Sequence, residues 1–139
     1  MNSLSTSELF VRCLSTIGCR RVYTLPADLS LPLLGAIEEL GIEIISVANE
    51  EGMVVAADIE AHLEGFSLLI ATDGYSVSKL INGLIAARLR YSPLLVVVIS
   101  QDLALENRSL LNCHPQPSRL GLMMHSIGLN CISVTHLSN

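Results

Sequence analysis

The chain has few charged residues and very few aromatic ones. Only 15% of its 139 residues are Asp, Glu, Lys or Arg, 4% are aromatic and none is tryptophan, whereas about a quarter of an average domain is charged. Half of the residues are hydrophobic, which is enough for a sizeable core. Two interpretations remain open: another protein covers part of the surface, or the domain is built on a continuously apolar, well-packed sheet.

Basic runs, long hydrophobic runs and paired cysteines are also missing, and each absence argues against a class of protein. The net charge is −5 without any basic stripe, so nucleic acid is not an expected partner. No hydrophobic run reaches the roughly 18 to 20 residues that span a bilayer, so no membrane is expected. Residues 1–7 are polar and unlike a secretory signal. The four cysteines form no CxxC pair, which predicts reduced thiols in a cytoplasmic protein rather than a zinc site.

Hydrophobic periodicity predicts alternating helices and strands. Glycines that close helices recur about every two dozen residues, at Gly18, Gly41 and Gly65, which is typical of βα units in a parallel sheet. The predicted strands are 21–25, 42–47, 66–71, 94–99 and 129–134. We therefore predict one domain over residues 1–139, of the three-layer α/β/α class, with a central and mainly parallel sheet of about six strands.

Residues that follow the predicted strands are the candidates for a site, because ligands of such sheets bind beyond the carboxyl ends of the strands. Glu50 follows the second strand and opens a helix, where the helix dipole favours a carboxylate. The alternative is an ordinary glutamate in a first turn. The segment from Thr72 to Ser78 is predicted to be a turn before a helix, and it either receives an anion at its amides or is a plain connection.

The other chemistry-bearing residues predict no second site. His62 lies on a charged helix face with Glu60 and Glu64 and is expected to be solvated. The remaining histidines are scattered without ligand spacing, and the chain contains neither G-x-S-x-G nor G-x-G-x-x-G. Serine-hydrolase and dinucleotide-binding chemistry therefore have no support.

Taken in order, these segments resemble the N-terminal pyrimidine-binding domain of thiamin-diphosphate-dependent enzymes. Residues 14–65 show the family's helix, glycine, strand ending in Leu25-Pro26, helix, second strand, and glutamate before an alanine-rich helix. Residues 66–100 show its strand, glycine turn, helix and proline-led strand. The resemblance covers about residues 8–134. In length the chain is similar to the free-standing α subunit of sulfopyruvate decarboxylase, or the first domain of phosphonopyruvate decarboxylase.

The resemblance implies a role for Glu50, which would share a proton with a ring nitrogen of the cofactor's aminopyrimidine. It also implies that Pro26, Thr72, Asp73 and Gly74 contact thiamin diphosphate. The diphosphate and its Mg²⁺ would be held mainly by a partner domain, so no metal ligand is assigned in this chain. The implied partners are a diphosphate-domain β subunit or a second copy of the chain, and the implied substrate is a small 2-oxo acid.

The chain departs from the family pattern at the glycine turn. The family usually has S-G-P-G-A-T-N, whereas residues 73–79 are D-G-Y-S-V-S-K, so Ser76 replaces a glycine and Lys79 an asparagine. Two hypotheses follow: a subunit of a split 2-oxo-acid decarboxylase, or a non-catalytic homologue that acts as an interaction or regulatory protein. A further interpretation is the diphosphate-binding domain of the same enzymes, because Asp73-Gly74 resembles the middle of its G-D-G magnesium motif.

Overall fold

The structure, a computed structural model, describes residues 6–100 and 117–132, apart from the side chains of residues 6, 73–75 and 117–120. Helices and strands alternate along it, as the periodicity predicts. In chain order the elements are α1 (Thr6–Thr16), β1 (Arg21–Thr24), a 3-10 turn (Asp28–Ser30), α2 (Leu31–Glu39), β2 (Glu43–Ser46), α3 (Glu50–Glu64), β3 (Ser67–Thr72), α4 (Asp73–Leu89), β4 (Leu94–Ile99) and α5 (Pro117–Ser126). No helix in these two ranges is long and apolar enough to cross a membrane.

The strands form one parallel sheet in the order β2-β1-β3-β4. The predicted α/β class with a parallel sheet is confirmed, with four strands in the described residues. Of the predicted strand 129–134, residues 129–132 form no strand, and residues 133 and 134 lie outside the described part of the chain. The first two crossovers, β1 to β2 and β2 to β3, contain α2 and α3.

A hydrophobic core lies on each face of the sheet, which produces the three predicted layers. In β3, Leu68 and Ile70 belong to the core with α1 and α2, whereas Leu69 and Ala71 belong to the core with α3, α4 and α5. Successive strand residues point to opposite faces, so a strand covered on both sides must be apolar throughout. All six residues of β3 are buried, which accounts for part of the low charge content.

The predicted helix-closing glycines adopt the left-handed conformation. The φ angles of Gly18, Gly41 and Gly65 are 79°, 73° and 82°. A side chain at such an angle would be strained by contact with the backbone, whereas glycine is not. The first three helices therefore stop near these glycines, and the chain turns back into the next strand.

Helix α4 begins earlier than the sequence predicts. Thr72 is the last residue of β3 and has extended backbone angles (φ −118°, ψ 144°), while Asp73 already belongs to the helix. The predicted turn over residues 72–78 is therefore wrong. A single Gly74 costs a helix only about 1 kcal/mol, and packing of the apolar face of α4 into the core offsets that cost. The early start places Ser76 and Lys79 on one helical turn.

Candidate functional site

The predicted site residues lie at one edge of the sheet, because β1, β2 and β3 are parallel neighbours and end there. Pro26 follows β1 by two residues, Glu50 begins the helix after β2, and Thr72 is the buried last residue of β3. The backbone of Asp73 and Gly74 starts α4 directly after Thr72. Their side chains are not among those described.

The position of Glu50 is set by the residues on either side of it. Asn49 is extended (φ −161°, ψ 165°), and its side-chain oxygen accepts a hydrogen bond from the Gly52 amide at 2.7 Å. An asparagine in this N-cap position satisfies one of the amides that every helix start leaves unpaired. Glu50 is therefore the first residue of α3, and the helix ends at Glu64 before Gly65, as the sequence predicts.

The carboxylate of Glu50 contacts two side chains of α4. It is 13% exposed. One oxygen accepts a hydrogen bond from the Ser76 hydroxyl at 3.1 Å, and the other lies 3.5 Å from Nζ of Lys79. Ser76 and Lys79 are three residues apart, so they lie on the same face of the helix. At 3.5 Å the lysine contact is an ion pair rather than a tight hydrogen bond.

The sequence analysis named Ser76 and Lys79 as departures from a family pattern and did not assign them to the site. The signal that could have revealed them is their i, i+3 spacing, which brings a hydroxyl and an ammonium together on a helix. Because residues 72–78 were predicted to be a turn, this helical spacing was not recognised. Lys79 is also the only lysine of the chain, which makes its place beside Glu50 more informative.

Close packing of α3 on α4 brings these groups together. Gly83 of α4 faces Val54 of α3, which is fully buried. A Cβ atom added at Gly83 would lie 2.8 Å from both Cβ and Cγ1 of Val54, which is shorter than the ordinary van der Waals separation of two carbon atoms. The two helix backbones therefore approach at a distance that only a glycine permits at this position.

A buried carboxylate in the middle of α3 forms hydrogen bonds to residues that directly follow α4. Asp58 is 3% exposed, and its carboxylate accepts hydrogen bonds from Arg90 and Ser92. Burial favours the neutral acid, but the bonds from Ser92 and Arg90 outweigh that effect and lower the pKa of Asp58. His62 is exposed, as expected, and its Nδ1 lies 2.9 Å from the Asp58 carbonyl oxygen.

A second charged cluster lies at the opposite, amino-terminal edge of the sheet. Glu60 is 7% exposed, so its expected place on a solvated face is wrong. Its carboxylate accepts hydrogen bonds from Arg21 at 3.0 Å and from Ser67 at 3.2 Å, at the starts of β1 and β3. A surface cavity of about 350 Å³ adjoins this cluster, with Cys19 in its wall. This cluster lies at the far end of the sheet from Glu50.

Comparison with protein families identifies the family to which the chain belongs. The family described as "Thiamine pyrophosphate enzyme, N-terminal TPP binding domain" matches residues 4–119. The chain therefore belongs to this family. The resemblance to a pyrimidine-binding domain is confirmed, and thiamin diphosphate is the cofactor that the family binds.

Individual relatives are much longer than this chain. Pyruvate decarboxylase isozyme 2 of Saccharomyces cerevisiae is 26% identical over 97% of the chain and 24% of its own length. Pyruvate decarboxylase of Aspergillus fumigatus is 30% identical over 88% of the chain and 19% of its own length. Human 2-hydroxyacyl-CoA lyase 2 is 31% identical over 73% of the chain and 16% of its own length. The chain thus spans a quarter or less of the length of these curated relatives.

A solved structure supports the same fold. The thiamine diphosphate-dependent 4-hydroxybenzoylformate decarboxylase of Rhodococcus jostii RHA1 superposes with a TM-score of 0.76 and 18% sequence identity. The match covers 84% of this chain and 22% of that one. At this identity the likeness establishes the architecture and says nothing of substrate.

The residues at the carboxyl edge fit the pyrimidine end of thiamin diphosphate. They offer one largely buried carboxylate, Glu50, with Pro26 and the buried Thr72 on the neighbouring strand ends. A diphosphate bound through Mg²⁺ needs several oxygen ligands in octahedral geometry. Among the side chains that the structure describes, no group of three or more from His, Cys, Asp or Glu is placed to hold a metal ion.

Proposed function

We propose that this chain is the pyrimidine-binding part of a thiamin-diphosphate-dependent 2-oxo-acid decarboxylase, in which Glu50 activates the aminopyrimidine. The observation that supports this most is the position of Glu50. It is a largely buried carboxylate at a helix start, on the carboxyl edge of a parallel sheet, in a chain of the TPP-binding family. The bound cofactor supplies the electron sink for loss of carbon dioxide.

The task proposed for Glu50 is to share a proton with a nitrogen of the pyrimidine ring. Such acid–base work requires a carboxyl group within hydrogen-bond reach and shielded from bulk water. The N-cap at Asn49 holds the backbone of Glu50, and the Ser76 hydroxyl orients one of its oxygens. We propose that Pro26 and Thr72, with the backbone of Asp73 and Gly74, line the space in front of it.

The proposal includes a partner, and an apolar row on α3 supports it. Val55, Ile59 and Leu63 are each more than half exposed. Their spacing of four residues aligns them along one side of the helix, starting in the second turn after Glu50. Contiguous exposed apolar side chains are typical of interaction surfaces. We propose that a diphosphate-domain subunit or a second copy of the chain covers this row and completes the site, with the partner holding most of the diphosphate and Mg²⁺.

Reconstitution tests the proposal. Mixed with a diphosphate-domain subunit from the same organism, the chain should bind thiamin diphosphate and release carbon dioxide from a 2-oxo acid. Glu50→Gln should lower turnover by at least about a hundredfold, the usual contribution of acid–base catalysis, because the amide keeps the size but cannot share the proton. Sedimentation should show that the variant still assembles. Glu51→Gln, the exposed neighbour, is the matched control and should keep full turnover.

Two results would contradict this assignment. Wild-type turnover in the Glu50→Gln complex would show that Glu50 is not the activating acid. A well-assembled wild-type complex that decarboxylates no 2-oxo acid would show that the chain is not a catalytic part.

The contact between Lys79 and Glu50 favours a second function, that of a non-catalytic interaction or regulatory protein. An ammonium beside the activating carboxylate is tolerated most easily when no cofactor has to bind there. This function predicts that the chain binds a complete family enzyme and changes its activity, with Glu50→Gln having no effect. Titration of the chain into such an enzyme separates the two functions.

A further inference from the structure

We infer that Lys79 is an internal counter-ion that blocks Glu50, and that it must leave the carboxylate before Glu50 can bind a pyrimidine ring. The inference rests on the proposed function and adds a positioning residue to it. Lys79 would decide when the site is open rather than take part in the reaction.

The geometry around Glu50 carries the argument. Its two carboxylate oxygens are in contact with different side chains of α4, Ser76 at 3.1 Å and Lys79 at 3.5 Å. The remaining exposure of the Glu50 side chain, 13%, leaves little carboxylate surface for a third group. A ring nitrogen that reaches the same oxygen as Nζ therefore has to replace the ammonium.

The chemistry of donors and acceptors leads to the same conclusion. A carboxylate in an ion pair accepts hydrogen bonds and donates none, while an ammonium only donates. A neutral pyrimidine nitrogen is also an acceptor, so it gains nothing from a carboxylate that is paired with Lys79. Departure of the ammonium leaves an oxygen that can take up a proton from solvent and share it with the ring nitrogen.

The block is weak enough to be released. The Lys79 side chain is 43% exposed, so water replaces its partner at little cost. Pairs of this kind change an equilibrium by about fivefold at most. A ligand or a docking partner can supply that much, which suits a contact that opens on assembly.

The single lysine of the chain provides a direct reporter. Lysine labelled with ¹³C at Cε and ¹⁵N at Nζ should give one side-chain ammonium signal in this chain. Glu50→Gln should shift this signal and speed its proton exchange with water, and Glu51→Gln should do neither. A signal that does not respond to Glu50→Gln would overturn the inference, because the ion pair would then be absent in solution.

Thiamin, which lacks the diphosphate, tests the block itself by calorimetric titration. Lys79→Met should bind thiamin up to about fivefold more tightly than the wild type, while Lys79→Arg, which keeps the charge, should not. The gain should vanish in the Glu50→Gln background. Addition of thiamin to the labelled wild type should move the lysine signal towards its position in Glu50→Gln.

The outcomes separate this inference from the proposed function. Equal thiamin affinity in wild type and Lys79→Met overturns the inference alone. Weaker binding of thiamin diphosphate by Lys79→Met, with thiamin unaffected, overturns it as well and assigns Lys79 to the diphosphate. Failure of every variant to bind thiamin, alone or with its partner, counts against both.

Discussion

Gly83 provides a test of the close approach between α3 and α4 that places Lys79 beside Glu50. Replacement of a mid-helix glycine by alanine ordinarily stabilises a protein by about 1 kcal/mol, because alanine loses less backbone entropy on folding. At Gly83 the new Cβ would lie 2.8 Å from Cβ and Cγ1 of Val54 and 3.3 Å from its Cγ2. The optimal separation of two carbon atoms is about 3.5–4.0 Å, so the substitution creates a clash.

The size of the destabilisation by Gly83→Ala depends on how far Val54 and the two helices can move to relieve the clash. Val54 is fully buried in the core between α3, α4 and the sheet, and a valine in a helix has one strongly preferred rotamer. The Cβ atom of Val54 is part of the clash, so rotation would not relieve it and the helices have to separate. Overpacking of this kind costs about 1–3 kcal/mol. After subtraction of the helix-propensity gain of about 1 kcal/mol, Gly83→Ala should lower the free energy of unfolding by up to about 2 kcal/mol.

Gly35 is the matched control. It lies in the interior of α2, and a Cβ added there meets no atom within 4 Å, so Gly35→Ala should stabilise by up to about 1 kcal/mol. Urea unfolding followed by circular dichroism measures both changes, with the m-value checking that the unfolding reaction is the same. If both substitutions stabilise the chain equally, the helices do not approach as described and the reasoning is refuted.

Three further predictions concern charge, reactivity and backbone conformation. Asp58→Asn should lower the free energy of unfolding by about 2 kcal/mol at pH 7, since bonds to a charged group are worth about 1.5–3 kcal/mol. Because folding lowers the pKa of Asp58, this deficit should persist above about pH 5 and shrink as the pH falls into the acid range; a deficit of the same size at pH 3 would contradict the assignment. Burial is the main cause that raises the pKa of the Cys19 thiol, so a thiol reagent at pH 8 should modify exposed Cys13 first, and equal rates measured by mass spectrometry would argue against the packing. Gly65→Ala should cost about 1–2 kcal/mol because Gly65 has a φ of 82°, and an unchanged melting temperature would show that α3 ends differently.

Local signals in the sequence were sufficient for the fold class and for most element boundaries. Helix α3 is the clearest case, because Asn49 before it, Gly65 after it and the apolar spacing between them all act within a few residues of the chain. The apolar segment 66–71 likewise predicted a strand where the structure has β3. Parallel topology then brought Pro26, Glu50 and Thr72 to one edge, since the carboxyl ends of parallel neighbours coincide.

Only the tertiary structure decided what surrounds Glu50. Residues 73–78 are compatible with a turn or a helix, and packing of α4 into the core selected the helix. That choice turned Ser76 and Lys79 towards a carboxylate more than 25 residues away in the chain. Glu60 likewise looked like a surface charge, and Arg21 and Ser67 from two strands made its burial possible. Such contacts depend on sheet order and on the distance between helices, which no local pattern encodes.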